Sequence, residues 1–283
     1  MSHVLVMTAP RTRGVADDEA ACVASETGLN AHRLGPHAVE FACDGLPQTP
    51  AIEGVDFNLI PAANRRKKLL IADMDSTMIP VECIDEIADF AGVGPQVADI
   101  TARAMRGELD FVESMRARVG LVAGLAEAAL QEVYDQRIAL NPGGRALVRT
   151  MAASGAHTAL VSGGFTFFTE RVAAACGFAE HRANTLLFAD GNLSGDVGEP
   201  VLGREAKVEA LTEISAHLGC TPADAVCVGD GANDIGMLQA AGLGVGHHPK
   251  PVVAEAADAI LTHSDLDAIL FLQGYSEDEI LRD

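Results

Sequence analysis

The sequence predicts an α/β protein: a doubly wound parallel sheet with a helical cap inserted after its first strand, preceded by a small α+β domain. Three observations carry this reading. Short apolar runs at 69–72, 157–161 and 225–228 each stop at a cluster of acidic or polar residues. Between 79 and 139 no strand-like run occurs, and apolar residues recur at helical spacing. The first 64 residues carry their own short strands around a loop holding Pro47 and Pro50. Continuous apolar strands separated by helices imply a parallel sheet covered on both faces.

Composition bounds the function. The chain has 283 residues, 48% hydrophobic and 21% charged, enough to bury a sizeable core in one large domain or two to three small ones. Twenty basic residues against 40 acidic ones give a net charge of −20. Such a surface repels nucleic acid and anionic lipid, so neither is expected as a partner. With no Trp and two Tyr, a stacking platform for single strands is not expected either. No uncharged apolar run reaches the roughly 18 residues of a membrane helix. Residues 1–13 place no basic segment ahead of the apolar 4–7, so a secretory leader is not expected. Cys22, Cys43, Cys83, Cys176, Cys220 and Cys227 show no C-x-x-C spacing. They read as free, mostly buried thiols of a cytoplasmic protein, not a zinc site or disulfide frame.

In chain order, 4–8 reads as a strand, 17–26 as an Ala-rich helix, and 38–43 and 55–60 as strands. No second helix is legible between Cys43 and Val55. Residues 61–68 read as a linker whose basic run, Arg65-Arg66-Lys67-Lys68, is a solvated approach to the sheet. The boundaries are 1–64 for the N-terminal domain, 65–79 with 140–283 for the sheet, and 80–139 for the cap. Within the cap, Val81, Ile84, Ile87 and Ala88 share one helical face, as do Phe111, Met115, Val119 and Val122. Further strands are expected at 243–246 and 259–262. Ligands of such sheets sit beyond the carboxyl ends of the strands, where this cap would lie as a lid.

Four clusters carry chemistry. Asp73-Met74-Asp75-Ser76-Thr77 puts two carboxylates at a strand exit, suited to a nucleophile, a general acid and a hard cation. Ser162-Gly163-Gly164, ahead of a helix expected near Thr166, offers a hydroxyl and N–H groups for phosphate oxygens. Lys207 stands early in a helix. Gly229-Asp230-Gly231-Ala232-Asn233-Asp234 again places acids at a strand exit, among glycines that let backbone approach an ion. Singly, each has a plain alternative: a solvated turn, an ordinary strand–helix turn, a surface lysine. Together, with all but Lys207 directly after a strand, they point to one shared site. His247-His248 beside Pro249 reads as a surface loop.

These clusters, in this order, resemble the motifs of the haloacid dehalogenase-like phosphohydrolases. The closer resemblance, over about 56–283, is to their phosphoserine phosphatase branch. It is carried by Asp73-Met74-Asp75-Ser76-Thr77 followed by Glu82, by Met105, Phe111 and Arg118 in the helical insertion, and by the run from Val228 to Asp234. It implies a Rossmann-like core and Mg²⁺-dependent hydrolysis of O-phosphoserine to serine and phosphate, the last step of serine biosynthesis. By this resemblance Asp73 is the nucleophile that becomes an aspartyl-phosphate, and Asp75 the general acid and then base. The Asp73 carboxylate, the Asp75 backbone carbonyl and Asp230 would hold Mg²⁺, with Asp234 positioning waters or Lys207. Ser162, the Gly163 N–H and Lys207 would bind phosphate. Glu82 would take the substrate ammonium and Arg118 its carboxylate, with Met105 and Phe111 as an apolar wall. Asn233 would reach the phosphate or amino group. Residues 1–64 loosely resemble an ACT-type regulatory domain. Two alternatives stay open: a phosphotransferase or phosphatase with another substrate, for instance with homoserine as acceptor, and a signalling receiver, against which Asp75 and the cap both argue. A homodimer also stays open.

Overall fold

The computed structural model describes residues 1–106 and 108–282, apart from the side chain of Met105. The N-terminal unit runs β1 (His3–Thr8), α1 (Asp17–Thr27), β2 (Ala31–Gly35), β3 (Ala38–Cys43) and β4 (Asp56–Pro61). Its antiparallel sheet has the order β2-β3-β1-β4. Alternation along β1 explains why the strand reads as wholly apolar. Leu5 and Met7 pack with Val23 of α1, whereas Val4 and Val6 join the main core of the molecule. Both faces of this sheet are therefore covered. No helix intervenes between β3 and β4. β2 is not legible in the sequence, because its first three residues are exposed and show no alternation.

The sheet of the main body begins at β5 (Leu69–Ala72). The cap follows as α2 (Cys83–Phe90), α3 (Gly94–Met105), α4 (Phe111–Leu121) and α5 (Glu127–Arg137). Then come α6 (Gly144–Ala153), β6 (His157–Phe165), α7 (Thr166–Cys176), β7 (Glu180–Asn184) and a hairpin of β8 (Leu186–Ala189) and β9 (Asn192–Val197). The chain closes with α8 (Arg204–His217), β10 (Ala225–Gly229), α9 (Ile235–Ala240), β11 (Leu243–His247), α10 (Pro251–Ala254), β12 (Ala259–Leu261) and α11 (Ala268–Leu272). The six-stranded sheet is parallel in the order β12-β11-β10-β5-β6-β7. β5 and β10 lie at its centre. Leu70, Ala72, Val226 and Val228 face one core, and Leu69, Ile71, Ala225 and Cys227 the other.

Two expectations are corrected, and three strands add to those expected. β7 and the β8–β9 hairpin are strands, although β7 and β9 are largely polar; β8 is the apolar run Leu186–Ala189, with Leu187 and Phe188 exposed. The basic run is not simply solvated. Arg65 pairs with Glu40 at 2.8 Å and also donates to Phe271 O and Leu272 O. Lys67 is buried, its Nζ donating to Ala223 O at 2.9 Å. His247 is no surface residue either: it ends β11 with 2% of its surface exposed. Burial, and then the neighbouring His248, push its pKa down to about 3, so its imidazole is neutral.

Candidate active site

Asp73 sits where β5 ends, its N–H donating to Val228 O on β10 at 3.0 Å. The chain then leaves the sheet in a tight turn. Asp75 is extended, and Ser76 takes the left-handed conformation at φ 56°. Ser76 Oγ donates to Glu82 Oε1 at 2.8 Å, and the Cys83 N–H donates to Asp75 Oδ1 at 3.1 Å. The turn is thereby clasped to the start of α2, and Asp75 is aimed by backbone of the cap.

At the end of β10, Asp234 folds back on its own turn. Its Oδ2 accepts the N–H groups of Asp230 and Gly231 at 3.1 and 3.0 Å. A Cβ on Gly229 would lie 2.3 Å from Asp234 Cγ, which is why the strand must end in glycine. Lys207, from the first turn of α8, is 1% exposed. Its Nζ lies 2.8 Å from Asp73 Oδ1 and 2.5 Å from Asp234 Oδ1. Burial works against its charge, but these two carboxylates outweigh it and raise its pKa. Asp73 is pushed the other way from an ordinary carboxyl. Burial, then repulsion from Asp234, raise its pKa well above the usual range despite Lys207. Asp230 accepts from Thr77 Oγ1 at 3.2 Å and pairs with Lys250 at 3.2 Å.

Ligand oxygens of Asp73, Asp230 and Asp234 lie within 4.8 Å of one another, a hard-donor set that fits a divalent cation. Both oxygens of Asp234 already serve Lys207 and backbone N–H groups. Both oxygens of Asp230 are engaged as well, by Thr77 and by Lys250, so Asp73 Oδ2 is the one oxygen of the three carboxylates without a protein partner among the described residues.

A cavity of about 370 Å³ opens over these strand ends. Asp73, Asp75, Ser162, Gly163, Asp230 and Asn233 line it from the sheet side; Glu82, Thr101, Phe111, Met115 and Arg118 line it from the cap. Ser162 is buried and its Oγ accepts the Gly164 N–H at 2.9 Å. Lys207 does not line the cavity; it stands behind Asp73. Phe111 remains 38% exposed at the rim. The side chain of Met105 lies outside the described residues. Arg118 is half-buried, donates to Ser114 O at 3.3 Å, and has no carboxylate within ion-pair distance among the described residues.

Gly164, already part of the Ser162-Gly163-Gly164 cluster, has a further role here, and Lys250 and Thr101 belong to this site without having been singled out in the sequence. A Cβ on Gly164 would fall 2.5 Å from Asp75 Oδ2, so only glycine leaves room for that carboxylate. Lys250 reaches Asp230 from the loop after β11. Thr101 lines the cavity with a buried hydroxyl that has no partner among the described residues. The G-G pair carried a signal for the first; nothing in the sequence distinguished the other two.

The sequence pattern of haloacid dehalogenase-like hydrolases matches residues 70–239. A phosphoserine phosphatase of Polaromonas sp. is 46% identical over 210 residues, covering 72% of this chain and 89% of that protein. One of Streptomyces coelicolor is 41% identical over 254 residues, covering 86% of this chain. The alignment spans only 62% of that longer relative. Among solved structures, a HAD family hydrolase from Salmonella enterica subsp. enterica serovar Typhi superposes with a TM-score of 0.84 at 30% identity, covering 98% of this chain and 99% of that one. A family pattern that runs from the strand bearing Asp73 through the turn bearing Asp234 takes in well over half of the chain and every strand end of the site, and so the chain belongs to the haloacid dehalogenase-like hydrolases.

Proposed function

We propose that this chain is a phosphoserine phosphatase, converting O-phosphoserine and water to serine and phosphate. The observation that carries the reading is Arg118, a half-buried guanidinium facing the cavity without an ion-pair partner among the described residues, in the same cavity as Glu82 and the Asp73–Asp75 pair. Cation, anion and nucleophile in one cavity match the carboxylate, ammonium and phosphate of one small substrate. The names of the similar proteins support the same substrate.

In this reading an oxygen of Asp73 bonds to phosphorus as the bond from phosphorus to the serine oxygen breaks. Asp75 gives its proton to that oxygen. The resulting Asp75 carboxylate takes a proton from water, whose oxygen attacks phosphorus and releases phosphate and the Asp73 carboxylate. Ser162, the Gly163 N–H and Asn233 orient the phosphate. Lys207, holding Asp73 and Asp234, lets a carboxylate meet a dianion without prohibitive repulsion. Asp73, the Asp75 backbone carbonyl and Asp230 would hold Mg²⁺, which supplies charge neutralisation of the phosphoryl oxygens. The free cysteines fit a cytoplasmic enzyme of serine biosynthesis. No helix among the described residues is long and apolar enough to cross a membrane.

The test is phosphate release from a panel of phosphomonoesters, with and without Mg²⁺, repeated for Arg118→Ala. Breaking a buried charged pair costs about 2–5 kcal/mol, so kcat/KM for phosphoserine should fall roughly 30-fold to several thousand-fold. Phosphoethanolamine, which lacks the carboxylate, should lose far less. Equal losses on both would remove Arg118 from the substrate and the amino-acid substrate with it.

A further inference from the structure

The parallel ladder between β6 and β7 has a gap. Val161 pairs with Arg182, and the next pair is Phe165 with Asn184. The skipped residues are Ser162, Gly163 and Gly164, the segment that lines the cavity. Freed from the ladder, their peptide groups can face a ligand, but nothing in the ladder then fixes their planes.

Asn184 fills that gap with its side chain. It is 2% exposed, and its Nδ2 donates to Gly163 O at 2.9 Å. The same amide also meets both polar groups of Leu202: Nδ2 donates to Leu202 O at 3.2 Å, and Oδ1 accepts the Leu202 N–H at 2.7 Å. The side-chain amide thus acts as one extra peptide unit between two backbone segments. One is the cradle. The other runs through Gly203 into α8, whose first turn holds Lys207.

Two ends of a single peptide plane are pinned in this way. The Gly163–Gly164 peptide has its carbonyl held by Asn184 and its N–H held by Ser162 Oγ. Two glycines have the greatest backbone freedom of any pair, so the plane needs external restraint to stay put. The tie to Leu202 sets how far α8 stands from the cradle, and with it where the Lys207 ammonium meets Asp73.

We propose that Asn184 is a positioning residue for phosphoryl transfer, holding the oxyanion cradle and the lysine-bearing helix in one register. It touches no substrate and acts through Gly163 and Leu202. The cradle serves any phosphomonoester, so the inference stands apart from the identity of the amino-acid substrate; the test uses a substrate without an amino-acid group, and only its serine control rests on the proposed function.

Asn184→Ala and Asn184→Asp remove both amide donors; Asp keeps the shape. The Mg²⁺-loaded full chain is assayed well below each variant's own Tm. For p-nitrophenyl phosphate, kcat/KM should fall about 10²-fold, the scale of a misplacement of about 1 Å at a reacting group. Competitive inhibition by inorganic phosphate should weaken about tenfold, in line with the loss of well-placed phosphate hydrogen bonds. Inhibition by free serine, which would meet only the cap side, should change less than about threefold, since no charged contact is lost there. A purely structural asparagine would lower Tm and leave the folded fraction's kinetics intact, which would overturn the proposal. So would an equal weakening of phosphate and serine inhibition. Should Asn184→Ala not fold, Asn184→Ser serves, because its hydroxyl is too short to span both partners; failure of all three to fold would assign Asn184 to stability alone and overturn the proposal too.

Discussion

Asp75 is half-buried, and burial, with the Glu82 carboxylate nearby, raises its pKa to about 7. A carboxylic acid still protonated near neutrality can protonate a poor leaving group. The sign follows directly: the acid form is lost as pH rises through about 7. In a pH series, kcat/KM for phosphoserine should fall on the alkaline side of that value, whereas p-nitrophenyl phosphate, which needs no acid, should show no such limb. An alkaline limb shared by both substrates would point to another group. Asp73→Asn should abolish turnover while phosphoserine still binds, as followed by isothermal titration. Near-native kcat would end the covalent mechanism. Gly164→Ala tests the geometry around Asp75 rather than its charge. The new Cβ would stand 2.5 Å from Asp75 Oδ2, so kcat should drop by about 10²-fold with little change in Tm.

Among the elements, those that are apolar throughout or carry polar clusters at their ends are legible in the sequence: β5, β10 and β11, the cap helices, the acids placed just past β5 and β10, and Ser162 toward the end of β6. What escapes are edges. β7 has one partner in the main sheet and β9 none, so nothing forces apolar residues onto them; β8 is apolar, but only Leu186 of its four residues is buried. Yet they hold the site: Asn184 ends β7, and the hairpin braces the cap. The Gly124 N–H donates to Leu193 O at 2.8 Å, and the Leu193 N–H to Leu125 O at 2.8 Å. Arg116 on α4 pairs with Asp196 and Glu199. At the other side of the cap, Asn141 donates to Thr77 O and Met78 O, tying the returning chain to the turn that left the sheet. Gly195 is where the bracing is tightest. It has φ 88°, and a Cβ there would lie 2.8 Å from that of Ala123. Gly195→Ala should cost about 1–3 kcal/mol in denaturant unfolding. Arg116→Ala, removing only half-exposed pairs, should cost less than about 1 kcal/mol. The reverse ranking would mean that charge, not backbone fit, seats the cap.

At the scale of the molecule, the N-terminal sheet is bolted to the main body by buried polar groups that no sequence pattern announces, since their partners lie some 200 residues away. Asp56 on β4 accepts the N–H groups of Thr262, His263 and Ser264, the last at 2.8 Å. Asn58 exchanges two hydrogen bonds with Ile260, at 2.7 and 3.0 Å. Thr8 and Ser264 share a buried hydroxyl contact at 2.8 Å, and Arg65 spans from Glu40 to the end of α11. Val4, Val6 and Ile60 meanwhile belong to the same core as α11. A unit docked through both apolar and charged contacts should not melt by itself. Calorimetry should therefore record one transition for the intact chain. Asp56→Ala should lower it without splitting it: hydrogen bonds to a charged group are worth about 1.5–3 kcal/mol, or roughly 3–12 °C for a chain of this size. If instead the variant, or the parent, shows an early transition through which p-nitrophenyl phosphate hydrolysis survives, the N-terminal sheet is a separable module, and these contacts do not couple it to the active site.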